Sequence, residues 1–173
     1  GSPVAVGRRH DRAKARRICH TVIAASAVDL SRNGNTMDIH YKSGATFTVA
    51  EMIDLYRRST LGKRRPLDRP DIFGQMRDNA NLVVTAWDGD KLVGIARSLT
   101  DFGYVTYLAD LAVDEAYQRQ GIGKRLIEET RARMAPTCKI VLLAAPRANE
   151  YYPQIGFEHN PRAWVLKGEV SFT

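Results

Sequence analysis

Residues 37–173 of this 173-residue chain read as one mixed α/β domain of the α+β type. The expected core is a central, mostly antiparallel sheet with about four helices, preceded by a loosely ordered N-terminal arm over residues 1–36. Three observations lead there. Short β-rich apolar runs alternate with segments of helical period, two of the runs are joined by a hairpin signal, and a third feeds a glycine-containing turn that opens straight into a long helix. Hydrophobic residues make up 44% and charged residues 26%, the composition of a globular domain with one closed core.

The elements follow in order. Met37–Lys42 alternates as a short strand, and Val49–Ser59 places Met52, Ile53, Leu55 and Tyr56 near one helical face. Thr60–Arg69 is a basic loop (Lys63-Arg64-Arg65-Pro66), and Asp71 stands near the start of a second helix over Asp71–Asn79. Leu82–Trp87 and Leu92–Leu99 are strands joined by Asp88-Gly89-Asp90-Lys91. After the turn at Asp101-Phe102-Gly103 comes a third long strand, Tyr104–Val113. A helix over Gly121–Ala135 faces inward through Ile122, Leu126, Thr130 and Met134, carries Glu129 four residues before Arg133, and is stopped by Pro136. Lys139–Ala144 is a continuous apolar run, the pattern of a strand buried on both faces. A short helix over Arg147–Gln154 and a last strand over Trp164–Lys167 complete the domain.

Charge and cysteine usage narrow the function classes. The net charge is +7, but residues 1–36 hold seven bases against Asp11 and Asp29, a net of +5, which leaves only +2 on residues 37–173. A nucleic-acid footprint is expected as a patch on the folded domain, so a leader excess argues against nucleic acid as partner. No run is long and apolar enough to read as a membrane helix. Cys19 and Cys138 lie far apart without CxxC spacing, and His10, His20, His40 and His159 lack ligand spacing. These features favour a reducing cytoplasm and no metal site. Gly1-Ser2 resembles a protease scar, and the rest of the leader has three readings: a signal or transit peptide, sequence translated ahead of a natural start at Met37, or a genuine arm.

The chemistry concentrates at the junction Leu111-Ala112-Val113-Asp114-Glu115-Ala116-Tyr117-Gln118-Arg119-Gln120-Gly121-Ile122-Gly123-Lys124-Arg125. The first-turn amides of a helix lack internal partners and carry partial positive charge, and glycine lets a ligand approach the backbone. The turn is therefore an anion cradle, with Arg119, Lys124 and Arg125 around it. A nucleotide P-loop needs Gly at Gln118 and Ser or Thr at Arg125, and the dinucleotide fingerprint needs Gly at Leu126, so neither fits.

What the segment resembles is the Q-x-x-G-x-G turn of the GNAT acetyltransferases, as Gln118-x-x-Gly121-x-Gly123. About 30 residues on, Ala148-Asn149-Glu150-Tyr151-Tyr152-Pro153-Gln154-Ile155-Gly156-Phe157 resembles that family's A-x-x-F/Y-Y-x-x-x-G-F signature. The likeness runs over about Met37–Lys167, with a fainter one to small arylalkylamine (serotonin-type) N-acetyltransferases through Asp110–Asp114. The resemblance implies a single GNAT-type domain that uses acetyl-CoA, without metal, to acetylate a small-molecule or peptide amine, with a homodimer as one assembly. It implies that the amides of Gln118, Arg119, Gln120, Gly121, Ile122, Gly123 and Lys124 hold the pyrophosphate. Leu111, Ala112 and Val113 would hold the pantetheine arm, and Lys139–Ala144 would splay away to open the cleft. Tyr152 would protonate the departing thiolate, and Asn149 would touch the coenzyme or lie in solvent. Pro153 leaves the aim of Tyr152 open.

Other readings stand beside these. Asp110, an acid in an apolar strand, is either the base that deprotonates the amine or a carboxylate paired with an arginine or an amide. Tyr152 is either the acid or a core tyrosine packed on Tyr151. Asp114 and Glu115 read as a polar turn, with Glu115 a solvated charge. The whole domain could also be a non-catalytic acyl-CoA sensor, and the leader with Lys63–Arg69 a nucleic-acid binder.

Overall fold

The structure is a computed structural model that describes residues 38–44, 47–166 and 168. The leader, Met37 at the start of the first expected strand, and Lys167 at the end of the last lie outside the described residues. Five strands form one sheet in the order β1 (Ile39–Ser43), β2 (Leu82–Asp88), β3 (Lys91–Thr100), β4 (Val105–Val113) and β5 (Lys139–Val141). The first four pair antiparallel in sequence order, and β5 adds on parallel to β4.

Helices cover both faces. On one, α1 (Val49–Arg57) and α2 (Pro70–Asp78) pack over β2, β3 and β4. Met52, Leu55, Tyr56 and Phe73 are completely buried there, each contributing on the order of 1.5–3 kcal/mol by leaving water. The Tyr56 and Phe73 rings meet edge to face at 5.3 Å and join the two helices. Thr48 and Glu51 close a reciprocal cap at the start of α1: the Glu51 amide donates to Thr48 Oγ1 (3.1 Å) and the Thr48 amide to Glu51 Oε2 (2.7 Å). On the other face α3 (Ile122–Arg131) buries Ile122, Leu126, Ile127 and Thr130 against Val84, Ala86, Val93, Ala96 and Leu108. The Glu129–Arg133 pair forms at 2.8 Å, as the spacing implies.

Two expectations are corrected. The apolar run Lys139–Ala144 is not a strand buried on both faces: only Lys139–Val141 pairs, and Val141 and Leu143 are about half exposed. β5 is a sheet edge, and after Tyr107↔Val141 it has no further register with β4. Trp164–Leu166 forms no strand, and its side chains stand in solvent. Smaller shifts accompany these. The basic loop winds into a 3-10 turn over Thr60–Arg64, α3 stops short of Ala135, and the helix expected over 147–154 divides into a 3-10 turn (Pro146–Ala148) and the single turn α4 (Tyr151–Gln154).

Candidate active site

The site grows from an irregularity in β4. Arg97 pairs with Asp110 but its neighbour Ser98 pairs with Leu108, so Ala109 is an extra residue, a β-bulge. The bulge breaks the two-residue alternation. Leu108 and Leu111 both pack toward α3, while Asp110 and Ala112 turn toward α1. Beyond Tyr107 β5 no longer pairs, so from Leu108 to Val113 that edge of β4 has no neighbouring strand among the described residues. Its backbone groups are free for a ligand that can lie as an added strand.

Asp110 is fully enclosed and collects four donors. Tyr56 Oη (3.0 Å) and Arg97 Nε donate to Oδ2, and Arg65 Nε (2.9 Å) and Nη2 donate to Oδ1. Arg65 also donates to the carbonyl of the bulged Ala109 (Nη2, 3.1 Å) and to that of Arg64 (Nη1, 2.9 Å), fastening the 60–69 loop to the bulge. Arg97 reaches the Met76 carbonyl of α2 (3.3 Å). Burial, and next the Asp110 charge, push the Tyr56 phenol well above its usual range, so it stays a donor.

The turn expected to cradle an anion, Gln118–Lys124, is held from below by Asp114, which caps a 3-10 turn over Glu115–Tyr117. Its carboxylate accepts from the Ala116 amide (3.0 Å), Lys91 Nζ (3.1 Å) and Arg58. Burial works to raise the Asp114 pKa, but the Ala116 amide, Lys91 and Arg58 outweigh it and hold the group below the usual carboxylate range. The Glu115 amide donates to the Arg58 carbonyl (2.9 Å), while the Glu115 side chain is exposed, a solvated charge. Above this anchor the backbone twists through two left-handed residues, Arg119 (φ 61°) and Gly121 (φ 82°), and Gly121 is the N-cap of α3. Gly121 offers no side chain to cap, so the Ile122, Gly123 and Lys124 amides point out unbonded by the helix. Gln118 Nε2 donates back to the Val113 carbonyl (3.1 Å), joining loop to strand end. Gln118, Arg119, Gln120 and Lys124 are exposed, and Lys124 lies 3.8 Å from Glu128.

Tyr152 sits in α4 with its ring 5.4 Å from both Tyr151 and Phe157, packed on the α3 side. Pro153 follows it within the single turn, and the Phe157 amide donates to the Tyr152 carbonyl (3.0 Å). Burial and then Tyr151 raise the Tyr152 pKa, and the Arg64 charge opposes them. Asn149 is exposed at the end of the preceding 3-10 turn.

The structure thus brings Leu111–Val113, the Gln118–Lys124 loop and α3 into one edge, with Asp110 beneath it. Sequence reasoning missed the partners of Asp110, namely Arg65, Arg97 and Tyr56, and the anchoring role of Asp114. One signal was available: Arg97 is a charge inside the apolar run Leu92–Leu99, and an enclosed arginine needs an acid.

Comparison with known proteins agrees with this architecture. The chain is 36% identical over 80 residues to the histone acetyltransferase TAP1 of Glycine max, over 45% of this chain and 34% of that one. It is 37% identical over 80 residues to the chloroplastic GCN5-related N-acetyltransferase 2 of Arabidopsis thaliana, over 45% and 30% respectively. It spans about a third of the length of these plant relatives. A GNAT family acetyltransferase structure from Streptococcus pneumoniae TIGR4 shares the fold at TM-score 0.58 and 23% identity, over 75% of this chain and 98% of that one. Residues 68–170, more than half of the sequence and including β4, the anion loop and α4, match the acetyltransferase (GNAT) domain, and the chain belongs to that family.

Proposed function

We propose that the protein is an acetyl-CoA-dependent N-acetyltransferase that moves an acetyl group to a primary amine by direct attack in a ternary complex. The observation that carries this reading is the open β4 edge from Leu108 to Val113, which runs into a helix N-terminus capped only by left-handed Gly121. The residues fit the coenzyme. A Cβ at Gly121 would meet no atom within 4 Å, so the space in front of the loop amides is clear.

Acetyl-CoA, when bound, supplies a thioester as the electrophile. The Gln118–Lys124 amides bind its pyrophosphate, with Arg119 and Lys124 adding charge. Leu111, Ala112 and Val113 hold its pantetheine arm through backbone groups, and an amide of the same edge polarises the thioester carbonyl. A C–N bond replaces a C–S bond, one proton leaves the amine nitrogen and one reaches the sulfur. Tyr152 donates the latter, its phenol kept protonated by burial. Asp110 is a positioning residue: with four donors on its two oxygens it serves the bulge, and the amine loses its proton to water. We place the protein in the cytoplasm on its free, buried Cys138; one plant relative is chloroplastic by name.

The test joins calorimetry to a thiol-release assay over amine classes. Wild type should bind acetyl-CoA and release thiol only with an acceptor present. Gly121→Val should stay folded, because the left-handed backbone costs a β-branched residue about 1–2 kcal/mol and nothing blocks its side chain, yet lose most acetyl-CoA affinity. Unchanged affinity in the folded variant removes the loop assignment. Binding without turnover on any amine makes the domain an acyl-CoA sensor instead.

A further inference from the structure

The face of the sheet that carries Asp110 also carries an apolar row that no helix of the described residues covers. Leu99 pairs with Tyr107 and Tyr107 with Val141, so the three side chains stand side by side across β3, β4 and β5. They are 43%, 38% and 49% exposed. The row lies beside the reaction edge. Tyr107 is three residues before Asp110, roughly 10 Å along a strand, which is the length of one small molecule.

The charge at this place is positive. The Asp110 carboxylate is matched by two arginines, Arg65 and Arg97, which leaves the cluster with an excess cation. Arg64, next to the arginine that grips the bulge, is exposed and has no acid partner among the described residues. Its carbonyl and that of the bulged Ala109 accept from the same Arg65 guanidinium (2.9 and 3.1 Å), so Arg64 stands at the bulge from which the open edge of β4 starts. Arg64 therefore overlooks the opening at which an acceptor meets the thioester. A polycation would meet repulsion there, and an anion would meet a free guanidinium.

We propose that the acceptor is a small amine bearing a carboxylate and an apolar body, seated with its body on Leu99, Tyr107 and Val141 and its carboxylate on Arg64. The inference rests on the acetyltransferase reading. Guanidinium–carboxylate contact fixes the end of the molecule nearest the bulge and presents the amine nitrogen to the thioester. The aromatic face of Tyr107 takes the body.

The experiment uses the full chain, with L-phenylalanine, its decarboxylated twin phenethylamine, glycine and a lysine-rich peptide as acceptors. Rates come from thiol release, and binding to the coenzyme A complex comes from calorimetry. Comparing the phenylalanine-to-phenethylamine ratio between wild type and variant cancels the different basicities of the two amines. That ratio should fall about tenfold to a hundredfold in Arg64→Ala, the span of one charge-assisted hydrogen bond, and further in Arg64→Glu. Tyr107→Ser should erase the advantage of phenylalanine over glycine. Added salt should weaken phenylalanine binding in wild type and leave Arg64→Ala unmoved.

A ratio unaltered by Arg64→Glu, or a lysine-rich peptide as the best acceptor, overturns the proposal while leaving acetyl transfer intact. So does acetyl-CoA binding with no carboxylate-bearing amine bound or acetylated. Failure to bind acetyl-CoA at all removes the underlying function, and this inference with it.

Discussion

Four donors converge on the Asp110 carboxylate, three of them from the two arginines Arg65 and Arg97, so its charge is what balances those cations in a closed interior. That is the physical ground for assigning it to the bulge. Asp110→Asn removes the charge but keeps the shape, so Arg97, with a side chain only 9% exposed, is left uncompensated. We expect a loss of about 3–5 kcal/mol in urea denaturation. The rate per folded molecule should be lower by a similar factor at every pH. Recovery of the rate between pH 7 and 9, beyond that of wild type, would return Asp110 to the role of base. Tyr152 is the contrasting case. Its hydroxyl is the only group removed in Tyr152→Phe, and the ring contacts with Tyr151 and Phe157 survive. Turnover should fall about 10²–10⁴-fold with acetyl-CoA affinity nearly constant. Because burial raises its pKa, the phenol persists past the ordinary tyrosine range. The wild-type rate should therefore decline only above about pH 10, and the phenylalanine variant should lack that alkaline decline. An unaltered rate in Tyr152→Phe would leave Tyr152 as a packing residue.

Among the elements, α3 shows how packing aims a site. Its N-terminus is useful only where β4 ends, and one glycine of β3 sets that distance. A Cβ at Gly94 would come 3.0 Å from Leu126 Cδ1, 3.2 Å from Ile122 Cγ2 and 3.2 Å from the Ala86 Cβ, so α3 lies tight against the sheet there. Gly94→Ala should cost about 1–3 kcal/mol through overpacking. By lifting the first turn of α3 it should also weaken acetyl-CoA binding, although Gly94 lies on β3, paired with Val113 one strand in from the open edge. Measured stability loss with unchanged affinity would show that the loop is held by Asp114 alone. The elements that the sequence revealed are those whose cues are local: the α1 and α3 faces through their period, the β2–β3 turn through Asp88-Gly89-Asp90-Lys91, the turn into α3 through its glycines. Lys139–Ala144 misled because a run of apolar residues has no period with which to separate a covered strand from an open edge. Whether it is covered depends on what lies beyond Val141, and Trp164–Leu166 does not close that edge.

On the scale of the molecule, the parts of the site that escaped sequence reasoning are those assembled from afar. Asp110 takes its donors from residues 13, 45 and 54 positions away, separations at which no spacing rule operates. The division expected at Met37 rests on cues of another kind, since both the charge balance and the loop residues Ser31–Thr36 change character just before it. Met37–Thr173 forms a compact unit with the two described cores, the sheet and every residue assigned a role above. We therefore expect a chain that begins at Met37 to unfold in one cooperative transition and to bind acetyl-CoA as the full chain does. It would also shed the +5 charge of residues 1–36, so any salt-sensitive binding of DNA or RNA by the full chain should disappear. Calorimetric unfolding and an acetyl-CoA titration of the two chains decide the matter. A broad, non-cooperative transition in the shorter one would mean that residues 1–36 complete a core. Intact unfolding with lost affinity would instead give the leader a part in holding the coenzyme, where its seven bases could meet phosphate.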